Sequence, residues 1–148
     1  EWQAPSMENS PEVFLVKQKM QAVGVDMFLD VHGDEALPYN FVAGCEGTPN
    51  YNARLKNLED SFKAALLTAT PEFQDVHGYD KDEPGQANLT VGANAIGHEF
   101  DCLSYTLEMP FKDNIELPDS TYGWSPVRCK QLGEDVMIAM RAVVDILR

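Results

Sequence analysis

The chain has 148 residues, 44% hydrophobic and 24% charged, with 11 Lys and Arg against 24 Asp and Glu, a formal charge of -13. Such an acidic balance repels phosphate groups and disfavours nucleic acids and anionic membrane surfaces as partners, and no stretch approaches the roughly 20 apolar residues of a membrane-spanning helix. A chain of this length buries roughly 70% of its unfolded surface around one core, so residues 1–148 are expected to form a single unit.

In chain order, Ser10-Pro11-Glu12 is an N-cap, a proline at the first helical position and an acid in the first turn, and Gly24 is a stop; together they predict a helix over 11–23. Val13, Val16, Met20 and Val23 supply its apolar stripe. The run from Val25 to His32, closed by Gly33, reads as a mostly buried strand, and a helix leading into such a strand indicates an α/β fold. A second extended stretch, Tyr39 to Gly44, follows after a short connection and is expected beside the first in the sheet.

Leu55, Leu58, Phe62, Leu66 and Ala69 recur at helical spacing and predict a second helix over 51–68. From Thr70 to Asn94 the sequence turns to Gly, Pro, Asp, Asn and Gln without a period, which reads as one long loop, functional or mobile. Leu103 to Met109 alternates like a strand that Pro110 ends, and Ser125-Pro126 opens a final helix carrying Leu132, Val136, Ile138, Met140, Val143, Val144 and Leu147. Cys45, Cys102 and Cys129 are odd in number and form no C-x-x-C pair, so they read as reduced core thiols in a cytoplasmic protein. The chain opens on Glu1, not Met, which fits a processed chain or a piece of a longer one.

Two ionisable residues stand where buried strands end. His32 precedes Gly33 and Glu108 lies just before Pro110, and ligand sites in open α/β sheets collect beyond the carboxyl ends of strands. Taken singly, a hydrogen-bonded core histidine and a solvated strand-end glutamate describe the two as well. His32-Gly33-Asp34-Glu35 also matches H-x-x-E, a spacing that can supply two zinc ligands, but acids are so frequent here that Glu35 is discounted.

The segments Trp2-Gln3-Ala4-Pro5-Ser6, Phe28 to Glu35, Leu37-Pro38-Tyr39-Asn40-Phe41, Tyr79 to Asn88 and Leu103 to Asn114 resemble the zinc metallocarboxypeptidases, in particular bacterial members similar to cytosolic carboxypeptidases. The resemblance implies an α/β, three-layer αβα sandwich with a mixed central sheet, of which this chain would be the C-terminal part. It matches His32 with the last of three zinc ligands and Glu108 with the general base, and makes Tyr79 the candidate for a substrate-contacting loop tyrosine. Tyr105 and Tyr122 stay open for that last role. Asp30, two residues before His32 and so on the same strand face, could orient the imidazole.

The family's first two zinc ligands and its substrate-binding arginines precede the Trp2 segment, so this chain by itself is expected to be an inactive fragment. Its parent would be a hydrolase using one zinc ion on peptide or protein C-termini, with the missing N-terminal half supplying the remaining groups; that half or a homo-oligomer is the expected protein partner. A scaffold domain that keeps the fold without the metal is the alternative.

Overall fold

The computed structural model describes residues 1–148, in the order α1 (Pro11–Val23), β1 (Met27–Asp34), β2 (Phe41–Ala43), α2 (Ala53–Ala69), α3 (Gly92–Phe100), β3 (Leu103–Pro110) and α4 (Pro126–Val143), closed by a 3-10 turn at Val144–Ile146. The sheet is mixed, in the order β1-β3-β2, with β1 parallel and β2 antiparallel to the central β3.

Helices cover both faces of this sheet. Leu103, Tyr105 and Leu107 of β3 point into the larger core with Leu58, Phe62 and Leu66 of α2 and Leu132, Val136 and Val143 of α4. On the other face Ile96 of α3 packs with Val25 and Cys102, joined by Met20 of α1, Phe28 and Trp2. Alternate residues of a strand face opposite ways, so Ser104, Thr106 and Glu108 belong to the α3 face. The fold is therefore α/β, with helical layers on either side of a small mixed sheet.

Four expectations are corrected. β1 is not mostly buried: only Asp34 of its residues is, because the strand lies at the edge of the sheet. β2 is not beside β1: β3 lies between them, because the strand with buried residues along nearly its whole length takes the centre. The irregular segment ends at Val91, where α3 starts without any side-chain N-cap. Helix-weakening Gly92 and Gly97 hide α3 from a propensity reading. The same small residues let it sit close to β3, where the Ser104 hydroxyl donates to the Ala93 carbonyl at 2.7 Å. The apolar stripe of α1 is largely open, with Val16 45% and Val23 65% exposed, and Ile138 and Val144 at the chain's end are exposed too.

Glu59 is the most deeply buried carboxyl, 1% exposed inside α2. Its Oε2 accepts from the Tyr51 hydroxyl at 2.6 Å and its Oε1 from the Cys45 amide at 3.1 Å. Gly44 lies between Glu59 and Glu46, whose oxygens would stand 2.6 Å from any Cβ added there. Burial, reinforced by the Glu46 charge, pushes the Glu59 carboxyl above its ordinary 4.5, against the opposing hydrogen bonds. The folded chain thus favours the protonated form. The Glu59 contribution to stability is fully present below the ordinary carboxylate range and is lost as pH rises from there through the folded value. Glu59→Gln should flatten that part of the profile, checked by urea unfolding of both chains from pH 4.5 to 7.5.

Candidate active site

β1 and β3 run parallel and end together, and His32 pairs with Glu108 across them. Paired residues on adjacent strands project to the same face, so both side chains stand on the α3 face at the carboxyl end of the sheet. A cavity of about 790 Å³ opens there, lined by His32, Glu108, Asp30, Tyr79, Thr106 and Trp2 among others.

The imidazole is held on one side. His32 Nε2 lies 2.9 Å from Asp30 Oδ1, and the His32 side chain is half exposed. A hydrogen on Nε2 facing that carboxylate leaves the lone pair on Nδ1, the form in which histidine ligates a metal. Asp30 is approached by the start of α3, where a Cβ on Gly92 would come within 2.8 Å of Asp30 Oδ2 and 3.1 Å of the Trp2 indole nitrogen. Only glycine allows that approach. The Trp2 ring packs edge-on to Phe28, two positions before Asp30, with centroids 5.5 Å apart.

Glu108 is 6% exposed. Burial pushes its carboxyl above the usual carboxylate range, opposed by the Tyr79 hydrogen bond and the nearby His32. Oε1 lies 3.2 Å from the Tyr79 hydroxyl, while Oε2 is buried without a hydrogen-bond partner. A buried acceptor of this kind stays basic and suits proton transfer.

Tyr79 comes to the site from the long segment between α2 and α3. Gln74 fixes the approach, donating to the Asn40 and His77 carbonyls at 3.1 and 2.9 Å. His77 stacks on Tyr39 at 4.4 Å, and the Tyr79 ring stands edge-on to Phe41 at 4.9 Å. Its hydroxyl donates to Asp34 Oδ2 at 2.5 Å. Tyr105 also lines the cavity but is buried with the larger core, whereas Tyr122 is 77% exposed and lies outside the cavity lining.

The structure thus brings together His32, Glu108, Tyr79 and Asp30, the four residues singled out from the sequence. Asp34 and Gly92 were missed. An Asp directly after the strand-ending glycine is a recognisable turn former, whereas nothing local marks Gly92. His98 is not at the site; it anchors the turn before α2 through Asn50 at 2.7 Å. All three cysteines are free, two of them buried. No helix is long and apolar enough to cross a membrane.

No group of three or more His, Cys, Asp or Glu side chains converges into a metal site within the chain. The fit to zinc is that of a single ligand, His32 Nδ1, beside a buried carboxylate with a free oxygen.

The layered α/β arrangement, with parallel strands ending in an imidazole and a glutamate over a cavity, is a carboxypeptidase-like fold by comparison with known proteins. Solved structures bear this out over nearly the whole chain. A metallo-carboxypeptidase from Pseudomonas aeruginosa, crystallised with (2-guanidinoethylmercapto)succinic acid, is 50% identical with a TM-score of 0.96, over 99% of this chain and 39% of that one. A metallo-carboxypeptidase from Burkholderia cenocepacia is 44% identical with a TM-score of 0.92, over 98% of this chain and 38% of that one. A provisionally named carboxypeptidase A from Shewanella denitrificans reaches 60% identity and a TM-score of 0.97, over 98% and 39%. An uncharacterized protein of Zymomonas mobilis is 46% identical over 99% of this chain and 39% of its own length. No family model matches the chain. The chain therefore spans about two fifths of the length of its relatives.

Proposed function

We propose that the chain is the C-terminal part of the catalytic domain of a zinc-dependent metallocarboxypeptidase, which releases amino acids from the C-terminus of a peptide or protein in the cytoplasm. The carrying observation is the register of β1 and β3, which sets His32 and Glu108 side by side at the mouth of one cavity. His32 supplies one zinc ligand through Nδ1, with Asp30 orienting the ring. The remaining ligands come from a part of the parent protein outside these residues. An open flank supports this completion: β1 is an outer strand, and Val31 on it and Val23 on α1 are 57% and 65% exposed.

Zinc, when bound, lowers the pKa of a coordinated water to about 7 and polarises the scissile carbonyl. Glu108 Oε2 takes the proton of the attacking water and returns it to the leaving amine. Tyr79, its hydrogen held by Asp34 Oδ2, presents its ring and hydroxyl oxygen to the substrate at the cavity mouth, and the cavity takes the terminal residue.

The experiment is zinc content and C-terminal residue release, measured on the parent protein with and without His32→Ala. Loss of this ligand should weaken zinc binding by more than the roughly 10- to 100-fold that follows loss of an orienting partner such as Asp30. A His32→Ala protein with its full zinc complement refutes the assignment. A parent that binds no zinc and cleaves nothing is a scaffold.

A further inference from the structure

Asp34, the last residue of β1, is 8% exposed and has both carboxylate oxygens engaged. Oδ1 accepts the backbone amides of Ala36 and Leu37, each at 2.6 Å. This closes a turn of the kind an aspartate makes with its own following backbone. Oδ2 faces the other way and accepts the Tyr79 hydroxyl at 2.5 Å, across 45 positions of chain. A tyrosine hydroxyl has one hydrogen. It lies on this shorter contact, so the 3.2 Å approach of the same oxygen to Glu108 Oε1 is the weaker of the two.

Two independent supports fix the ring: Phe41 beneath it and Asp34 at its tip. Phe41 supplies contact area but no direction for the hydroxyl. Only Asp34, rigid because its second oxygen is tied into the turn, places that hydroxyl against Glu108.

We propose that Asp34 is a positioning residue for this site, holding the Tyr79 hydroxyl at the cavity mouth beside Glu108. The inference rests on the carboxypeptidase reading for its catalytic meaning, but the contact belongs to this chain alone and needs neither metal nor turnover to be tested. The two jobs of Asp34 are separable. Asparagine keeps an Oδ1 that can accept the Ala36 and Leu37 amides and puts an amide nitrogen, which cannot accept, where Oδ2 stood. Alanine removes both functions.

The test uses the 148-residue chain labelled with 3-fluorotyrosine, whose five tyrosines give five fluorine resonances. Tyr79→Phe identifies the Tyr79 line, and the exposed Tyr122 is the reference for a free ring. In Asp34→Asn the Tyr79 line should move toward the Tyr122 position and sharpen, with the other four unchanged and the unfolding midpoint close to that of the parent. In Asp34→Ala the line should move and the midpoint fall as well. An unmoved Tyr79 line in folded Asp34→Asn overturns the proposal. So does an Asp34→Asn chain that unfolds along with Asp34→Ala, since Asp34 would then serve only its turn. In the complete parent, Asp34→Asn should raise KM for a peptide substrate several-fold while kcat changes less. Failure of that arm alone, with the resonance shifted, would count against the carboxypeptidase role and leave the positioning contact standing.

Discussion

With Glu108 replaced by Gln, the complete parent protein should retain its zinc and lose about 10²- to 10⁴-fold in kcat, the range expected when a positioned general base is removed. Glutamine has the same shape, and its Oε1 can still face Tyr79 as the carboxylate oxygen does at 3.2 Å. What disappears is the proton acceptor at the other oxygen. That atom is the one the structure leaves buried and without a partner. The substitution neutralises a carboxyl that burial already disfavours as an anion, so the folded state should not suffer. The discriminating measurement is zinc content beside single-turnover cleavage. Metal retained with turnover lost assigns proton transfer to Glu108. Undiminished cleavage would remove Glu108 from the chemistry. His32→Ala should show the converse, metal affinity lost first and turnover lost as a consequence.

The pairing of His32 with Glu108 was legible because each sits at the end of an apolar run closed by a residue that stops a strand, Gly33 and Pro110. Strand ends are marked locally, and in parallel strands the ends coincide in space. The roles of the two residues came from the family resemblance. The strand order was not legible, since a short connection between Asp34 and Phe41 says nothing about a partner 60 or more positions later that inserts between them. α3 stayed hidden for a different reason. Its glycines look like loop residues until Ser104 and Cys45 are seen against Gly97, where an added Cβ would come within 3.0 Å of each. Its helicity is a product of packing against β3, beyond the reach of propensity. Asp34 was passed over as part of a poor H-x-x-E match, although its importance lies in an acceptor aimed at a residue far along the chain.

Arg128→Ala should be the most destabilising of these substitutions, by about 3–5 kcal/mol, because it strips the partner from a carboxylate shielded from water. Arg128 is 14% exposed and donates through Nε and Nη2 to the two oxygens of Glu72, both at 2.7 Å, with the Glu72 side chain only 12% exposed. Nη1 reaches Asp113 Oδ1 at 2.9 Å and the Gly123 carbonyl at 3.0 Å, and the guanidinium lies 4.9 Å from the centre of the Trp124 ring. Glu72 begins the segment that carries Tyr79, and Asp113 follows the end of β3 that carries Glu108, so one guanidinium ties together the two arms of the site. The fall in melting temperature should be about 10 °C, given the 2–4 °C per kcal/mol typical of chains near this size. Arg128→Lys should recover only part of it. A single ammonium cannot make the two-pronged contact with Glu72 or lie flat against Trp124. Calorimetry on the three chains checks the order. If Arg128→Lys matches the parent, charge alone holds the two arms, and the planar geometry of the guanidinium is irrelevant.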